Sequence, residues 1–154
     1  MTLGELIQWA HPGVVTRSVS PLTSAQCATR LAGCVVGRVS VSMDALPVVV
    51  PVVYCLDGDD VLFRAPLDGA LAKACDGSVI AFEVDDLSTS GATGEGWSVQ
   101  IVGVGRRLDQ REQSRVFGKG WLDVAAVDLA HVVRLPAVRL NGHELRRRPV
   151  ASAG

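Results

Sequence analysis

The sequence has no apolar run approaching the roughly 20 residues that a membrane-spanning helix needs. Its longest such stretch, residues 46–56, carries two prolines, Pro47 and Pro51. The opening segment, MTLGELIQWAHPG, has neither a basic start nor a long apolar centre. No secretion signal is expected from it, no membrane partner either, and the chain reads as cytoplasmic. None of the four cysteines (Cys27, Cys34, Cys55 and Cys75) forms a C-x-x-C pair, and His11, His131 and His143 lie far apart. That excludes a local zinc motif and leaves reduced, small, buried thiols as the expectation. Lysine is scarce, with 2 against 13 arginines, and the arginines are scattered except for Arg146, Arg147 and Arg148. A nucleic-acid reader would concentrate its basic groups on one face, so no nucleic-acid partner is expected. The Arg triplet reads as part of a solvated C-terminal tail.

The motifs of common catalysts are missing too. There is no G-x-S-x-G elbow, no P-loop and no H-E-x-x-H. Gly103-Val104-Gly105 neither follows a strand nor opens a helix, so it is no dinucleotide fingerprint. Asp85 and Asp86 are adjacent on a strand and point to opposite faces, which suits a solvated strand end better than a carboxylate pair. His131 opens a strand and reads as structural.

What remains is a chain of 154 residues, enough for one domain with a real core. Thr23 or Ser24 caps a helix that stops at Gly33. Residues 3–10 have the pattern of two helical turns. Residues 38–43 alternate, with Val39, Val41 and Met43 on one face and Arg38, Ser40 and Ser42 on the other. Residues 46–56 form a second strand, apolar on both faces, which wants cover on both sides. Asp57-Gly58 marks a hairpin turn, and residues 61–65 a third strand. A short helix over 66–75 and a fourth strand over 79–84 follow. After the polar, Gly-rich loop 86–96 comes a long fifth strand, 97–108. Residues 109–126 are helical in part, and a sixth strand spans 131–140, ending at a turn at Asn141-Gly142. Short connections and repeated hairpin signals favour an antiparallel closed or nearly closed barrel.

The ordered segments GRVSVS, LPVVVPVVYCLDGDDVLFRAP, VIAFEVDD and GWSVQIVGVGRRL resemble the pyridoxamine 5'-phosphate oxidase-like family, nearest its nitroimidazole-reductase-like branch. The likeness covers about residues 22–145, leaving 1–21 as an N-terminal extension and 146–154 as a flexible tail. It implies a mainly β fold: a six-stranded antiparallel split β-barrel with short flanking helices. It also implies a homodimer, FMN held between subunits, and an FMN-dependent oxidoreductase acting on a small-molecule redox substrate. That substrate is left open among nitro-aromatics, quinone-like acceptors and B6 vitamers, with B6 disfavoured for want of a basic C-terminal strand motif. By the match, Val50, Pro51, Val52, Val53 and Tyr54 line the isoalloxazine. Arg64 and Ala65 lie near the phosphate, and Ser98 faces the flavin. Trp97 suits either the groove or the core. Pro51 would interrupt the ladder of its strand and free neighbouring backbone groups. The pattern departs from the family at Ala65 and Ala70, where threonine and lysine would bind phosphate, and at Val53, where asparagine is common. Arg64 and Lys73 are candidates to compensate in part, Lys73 lying about one helical turn after Ala70, with a solvated helix lysine as its alternative reading. A non-catalytic binding protein with weakened flavin affinity, or a deazaflavin- or haem-binding variant, is the alternative.

Overall fold

A computed structural model describes residues 17–65, 69–87, 95–117 and 131–147. Its strands are β1 (Arg17–Pro21), β2 (Val36–Met43), β3 (Leu46–Asp57), β4 (Asp60–Ala65), β5 (Val79–Asp86), β6 (Gly96–Val104), β7 (Arg106–Arg107), β8 (His131–Leu135) and β9 (Arg139–Arg147). The helices are α1 (Ser24–Ala32), α2 (Ala70–Cys75) and α3 (Gln110–Phe117). All strand pairs are antiparallel, in the order β1-β9-β6-β5-β2-β3-β4-β8-β7. The sheet curls on itself as a split barrel.

The described residues hold nine strands where six were expected, and each difference has an identifiable cause. The long fifth strand breaks at Gly105 into β6 and β7. The sixth breaks at Pro136, which cannot donate to a ladder, into β8 and β9. β1, within the first 21 residues, pairs with the far end of β9, from Arg17 opposite Arg147 to Pro21 opposite His143. The sheet thus takes in residues from both ends of the chain. Asn141-Gly142 is not a turn. Both residues lie inside β9, opposite Gln100 and Val99. The glycine is there for space, since a Cβ on Gly142 would sit 2.4 Å from Cys27 Sγ on α1. The expected helical turns over 3–10, the start of the helix over 66–75 and the helical pattern beyond 117 lie outside the described residues.

Local signals explain the rest. Thr23 caps α1 in a reciprocal box: the Gln26 N–H donates to Thr23 Oγ1 and the Thr23 N–H donates to Gln26 Oε1. Asp44 and Ala45 both adopt positive φ, 50° and 63°, and turn β2 tightly into β3. The main core fills the inner face, with Val39, Phe63, Phe82, Val99, Ile101 and Val133 wholly buried. A second cluster (Leu62, Leu108, Val116 and Val132) sits under α3 on the outer side of β4 and β8.

Charged ties hold α3 and the β3–β4 hairpin in place. Arg106 donates to both Glu112 oxygens at 2.9 and 2.8 Å. Arg134 bridges Asp57 and Asp60 of the β3–β4 hairpin, at 2.8 Å each. The bond from Arg106, and then the Asp109 N–H, hold the Glu112 carboxyl down at about 2. A carboxylate depressed on folding stabilises the fold fully above its ordinary value near 4.5 and loses that contribution as pH falls towards about 2. Glu112→Gln is therefore expected to lower the melting temperature slightly at neutral pH, as suits a half-exposed pair. The gap to wild type should close between those two pH values in a thermal series. A gap that stayed constant into acid would rule out the carboxylate as its source.

Candidate functional site

β3 changes partners along its length. Residues 46–53 pair with β2, and residues 54–57 pair with β4. Over 46–53 its other edge faces no strand among the described residues. The Tyr54 N–H bonds the Val35 carbonyl at 3.0 Å, which sets the parity of the ladder. Residues 48, 50, 52 and 54 turn their backbone groups towards β2, whereas 47, 49, 51 and 53 turn theirs away. Pro51 therefore does not interrupt the β2–β3 ladder, which runs unbroken from Val36 opposite Val53 to Met43 opposite Leu46. Both prolines fall where the missing N–H faces the open edge, the position a strand proline tolerates. The N–H groups of Val49 and Val53 point the same way.

Side chains on β3 divide by the same alternation. Val50, Val52 and Tyr54 face the barrel interior. Tyr54 stacks edge-on against Phe82 at 4.9 Å, its hydroxyl donates to the Leu31 carbonyl, and burial pushes its phenol up. Pro51 and Val53 face outward, beside exposed Val36 and Val49. The second strand is thus apolar on both faces, as its sequence reads, but its outer face is not covered by the described residues. A groove of about 340 Å³ continues from Val53 along residues 54–56 to the end of α1, with Cys34 and Cys55 in its lining.

Arg64 follows Phe63, the partner of Tyr54, so it stands beside Val53 on the outer face at the point where β3 and β4 part. It is half-buried, opposite Val132. Ala65 points the other way, into the core. Lys73 is exposed on α2, one turn above Gly69. The fold therefore brings Pro51, Val53 and Arg64 together on the outer face, while Val50, Val52, Tyr54 and Ala65 turn into the barrel.

Ser98 is not part of that gathering. It faces outward on β6, between Asp85 and His143. β5 and β2 separate it from β3, about 14 Å at ordinary strand spacing. Trp97 is core, 8 % exposed, with the Arg30 guanidinium 5.0 Å from its ring centroid. Asp85 accepts from Arg38 across β2 and β5. Sequence reasoning set His131 aside, yet it pairs directly with Ala65 and lies against Gly69. No local signal marks that contact, because it joins residues far apart in the chain. Among the described residues no group of three or more His, Cys, Asp or Glu is placed to hold a metal ion, and no helix is long and apolar enough to cross a membrane.

The outer face of β3 thus offers an apolar strip, backbone N–H and C=O groups along an edge that faces no strand among the described residues, and the Arg64 guanidinium beside it.

Comparison with known proteins agrees with this fold. A search of curated proteins by sequence finds no match. Solved structures share the fold. The FAD-binding protein from Mycobacterium smegmatis is 23% identical, with a TM-score of 0.62, covering 82% of this chain and 98% of its own. The FAD- and haem-binding protein of the same organism is 13% identical, with a TM-score of 0.68, covering 89% and 76%. A candidate 5-nitroimidazole antibiotic resistance protein from Bacteroides thetaiotaomicron is 10% identical, with a TM-score of 0.66, covering 90% and 98%. The sequence model described as pyridoxamine 5'-phosphate oxidase matches residues 23–144, and the chain belongs to that family.

Proposed function

We propose that this protein is a flavin-dependent oxidoreductase that works as a homodimer in the cytoplasm, with FMN as its cofactor and a small redox-active molecule as its substrate. The observation that carries this reading is the open edge of β3 over residues 46–53, with its outward apolar strip of Val36, Val49, Pro51 and Val53. A bound flavin supplies hydride or single-electron transfer. The protein's part is to bind it, orient it and exclude water. The main chain of residues 50–54 meets the ring edge, with the Val53 N–H as donor and the Val49 and Pro51 carbonyls as acceptors. Pro51 and Val53 cover one ring face, while Val50, Val52 and Tyr54 anchor the strand from the core side.

A second copy has two roles. It covers an apolar face that monomers rarely leave exposed. It also explains Ser98, whose short side chain cannot cross two strands to reach β3 of its own chain. Across a subunit contact the Ser98 hydroxyl can face the flavin on a neighbouring protomer.

The test is the absorbance spectrum of freshly purified protein, followed by fluorescence titration with FMN, FAD and riboflavin. The expected outcome is a yellow protein, or saturable FMN binding in the micromolar range as an order of magnitude. A haem spectrum would favour the haem-binding alternative. A colourless protein that takes up no flavin would leave the non-catalytic binding protein, the reading that Ala65 and Ala70 motivate. Solution mass decides the dimer, and a strict monomer would remove the shared groove.

A further inference from the structure

The chain leaves α1 at Gly33 and joins the sheet only at Val36. β3 runs on past the start of β2, so residues 55–57 pair with β4 on one edge and face no strand among the described residues on the other. The space between that edge and the end of α1 is the groove of about 340 Å³. One end is closed where the Tyr54 N–H bonds the Val35 carbonyl at 3.0 Å. The Tyr54 hydroxyl donates to the Leu31 carbonyl and ties β3 to the helix end. No charged side chain lines the groove. Its side chains are aliphatic apart from Tyr54, whose hydroxyl is committed, and the thiols Cys34 and Cys55. Val53 belongs both to this lining and to the outward apolar strip of β3. A molecule seated in the groove therefore abuts whatever rests on that strip.

We infer, resting on the flavin reading above, that this groove seats the molecule that exchanges electrons with the flavin, and that this molecule is an uncharged aromatic of one or two rings. An ionised carboxylate or phosphate would give up its water there with no cation in the lining to meet it. A neutral ring gains from burial against the aliphatic walls. A thiol S–H is a weak donor, which suits a nitro or carbonyl oxygen rather than an anion. The volume lies at the small end of ligand sites, which limits the size of the occupant. The same lining excludes phosphorylated vitamers.

Para-nitrotoluene and para-nitrobenzoate share a ring and a nitro group and differ in charge. The purified protein is alkylated with iodoacetamide in the presence of each, and peptide masses give the rate at every cysteine. Nitrotoluene at about ten times its dissociation constant should slow Cys34 and Cys55 about tenfold. Cys27 and Cys75, both buried outside the groove, serve as controls. Nitrobenzoate at the same concentration should protect neither groove thiol. Val35→Asp sets a carboxylate in the groove wall, and Val35 is 68% exposed, so the fold has room for it. It should weaken nitrotoluene about tenfold or more and leave riboflavin affinity unchanged. Ala32→Trp, at the exposed end of α1, narrows the groove and should act likewise. Equal protection by the two compounds, protection of neither thiol, or full nitrotoluene affinity in both variants would overturn the assignment while leaving the flavin reading intact. Selective protection in a protein that takes up no flavin would overturn the electron-exchanging role together with the flavin reading.

Discussion

Replacing Phe82 by alanine is expected to remove about 3–5 kcal/mol of folding stability, the usual cost of deleting a buried aromatic ring. Phe82 is fully buried at the middle of β5, opposite Val39 on one side and Ile101 on the other, both also fully buried. Its ring meets Tyr54 at an interplanar angle of 69°, so truncation also removes an aromatic contact and unsupports the inner face of β3. The neighbours belong to strands hydrogen-bonded on both sides and cannot collapse into the gap. For a domain of this size the loss corresponds to a fall of roughly 10 °C or more in melting temperature. Val79→Ala, on the same strand but 71% exposed, should change stability by no more than about 0.5 kcal/mol. Urea unfolding of both variants, at one protomer concentration, checks the pair. Similar midpoints for the two would contradict the placement of Phe82 in the core.

Val53→Asp is expected to have the opposite profile: little change in folding and a large loss of binding. Val53 is 52% exposed and faces outward, so the isolated fold has room for a carboxylate. The cost to the strand is the weaker β-propensity of aspartate, about 1 kcal/mol at most. Under a bound isoalloxazine or a second protomer the same carboxylate loses its water, a penalty of several kcal/mol. Beside Arg64 it also competes with any phosphate for that cation. Flavin affinity should fall about 100-fold or more, which is about 2.7 kcal/mol. The measurement is a flavin titration alongside a melting curve and a solution mass. An unchanged dissociation constant would remove the outer face of β3 from the site.

Much of the barrel is legible in the chain because period-two alternation reports local geometry directly. Val39 and Val41 announce the inner face of β2, and the β3–β4 hairpin is marked by Asp57-Gly58. The misreadings share one cause: a residue type with two physical uses. Gly142 is a spacer under Cys27 rather than a turn residue. Pro136 ends a strand inside an otherwise continuous apolar run. Pro51 leaves its ladder intact because its missing donor faces outward, and parity along a strand cannot be known before its partner is. β1 is five residues long and gains its place only through β9, more than a hundred residues away. The site divides in the same way. The contiguous stretch 50–54 is readable as a strand, whereas the meeting of Val53 with Arg64 exists only after folding.

The alternate prolines of β3 bear on what else this protein avoids. A long, apolar, unpaired strand edge is the template on which extended chains accrete and proteins aggregate. Pro47 and Pro51 delete two of the donors that an incoming strand would need, leaving Val49 as the lone N–H between them. An edge interrupted in this way lacks the regular run of donors that a ladder requires. Extension of the sheet by a foreign strand is thereby disfavoured at this edge.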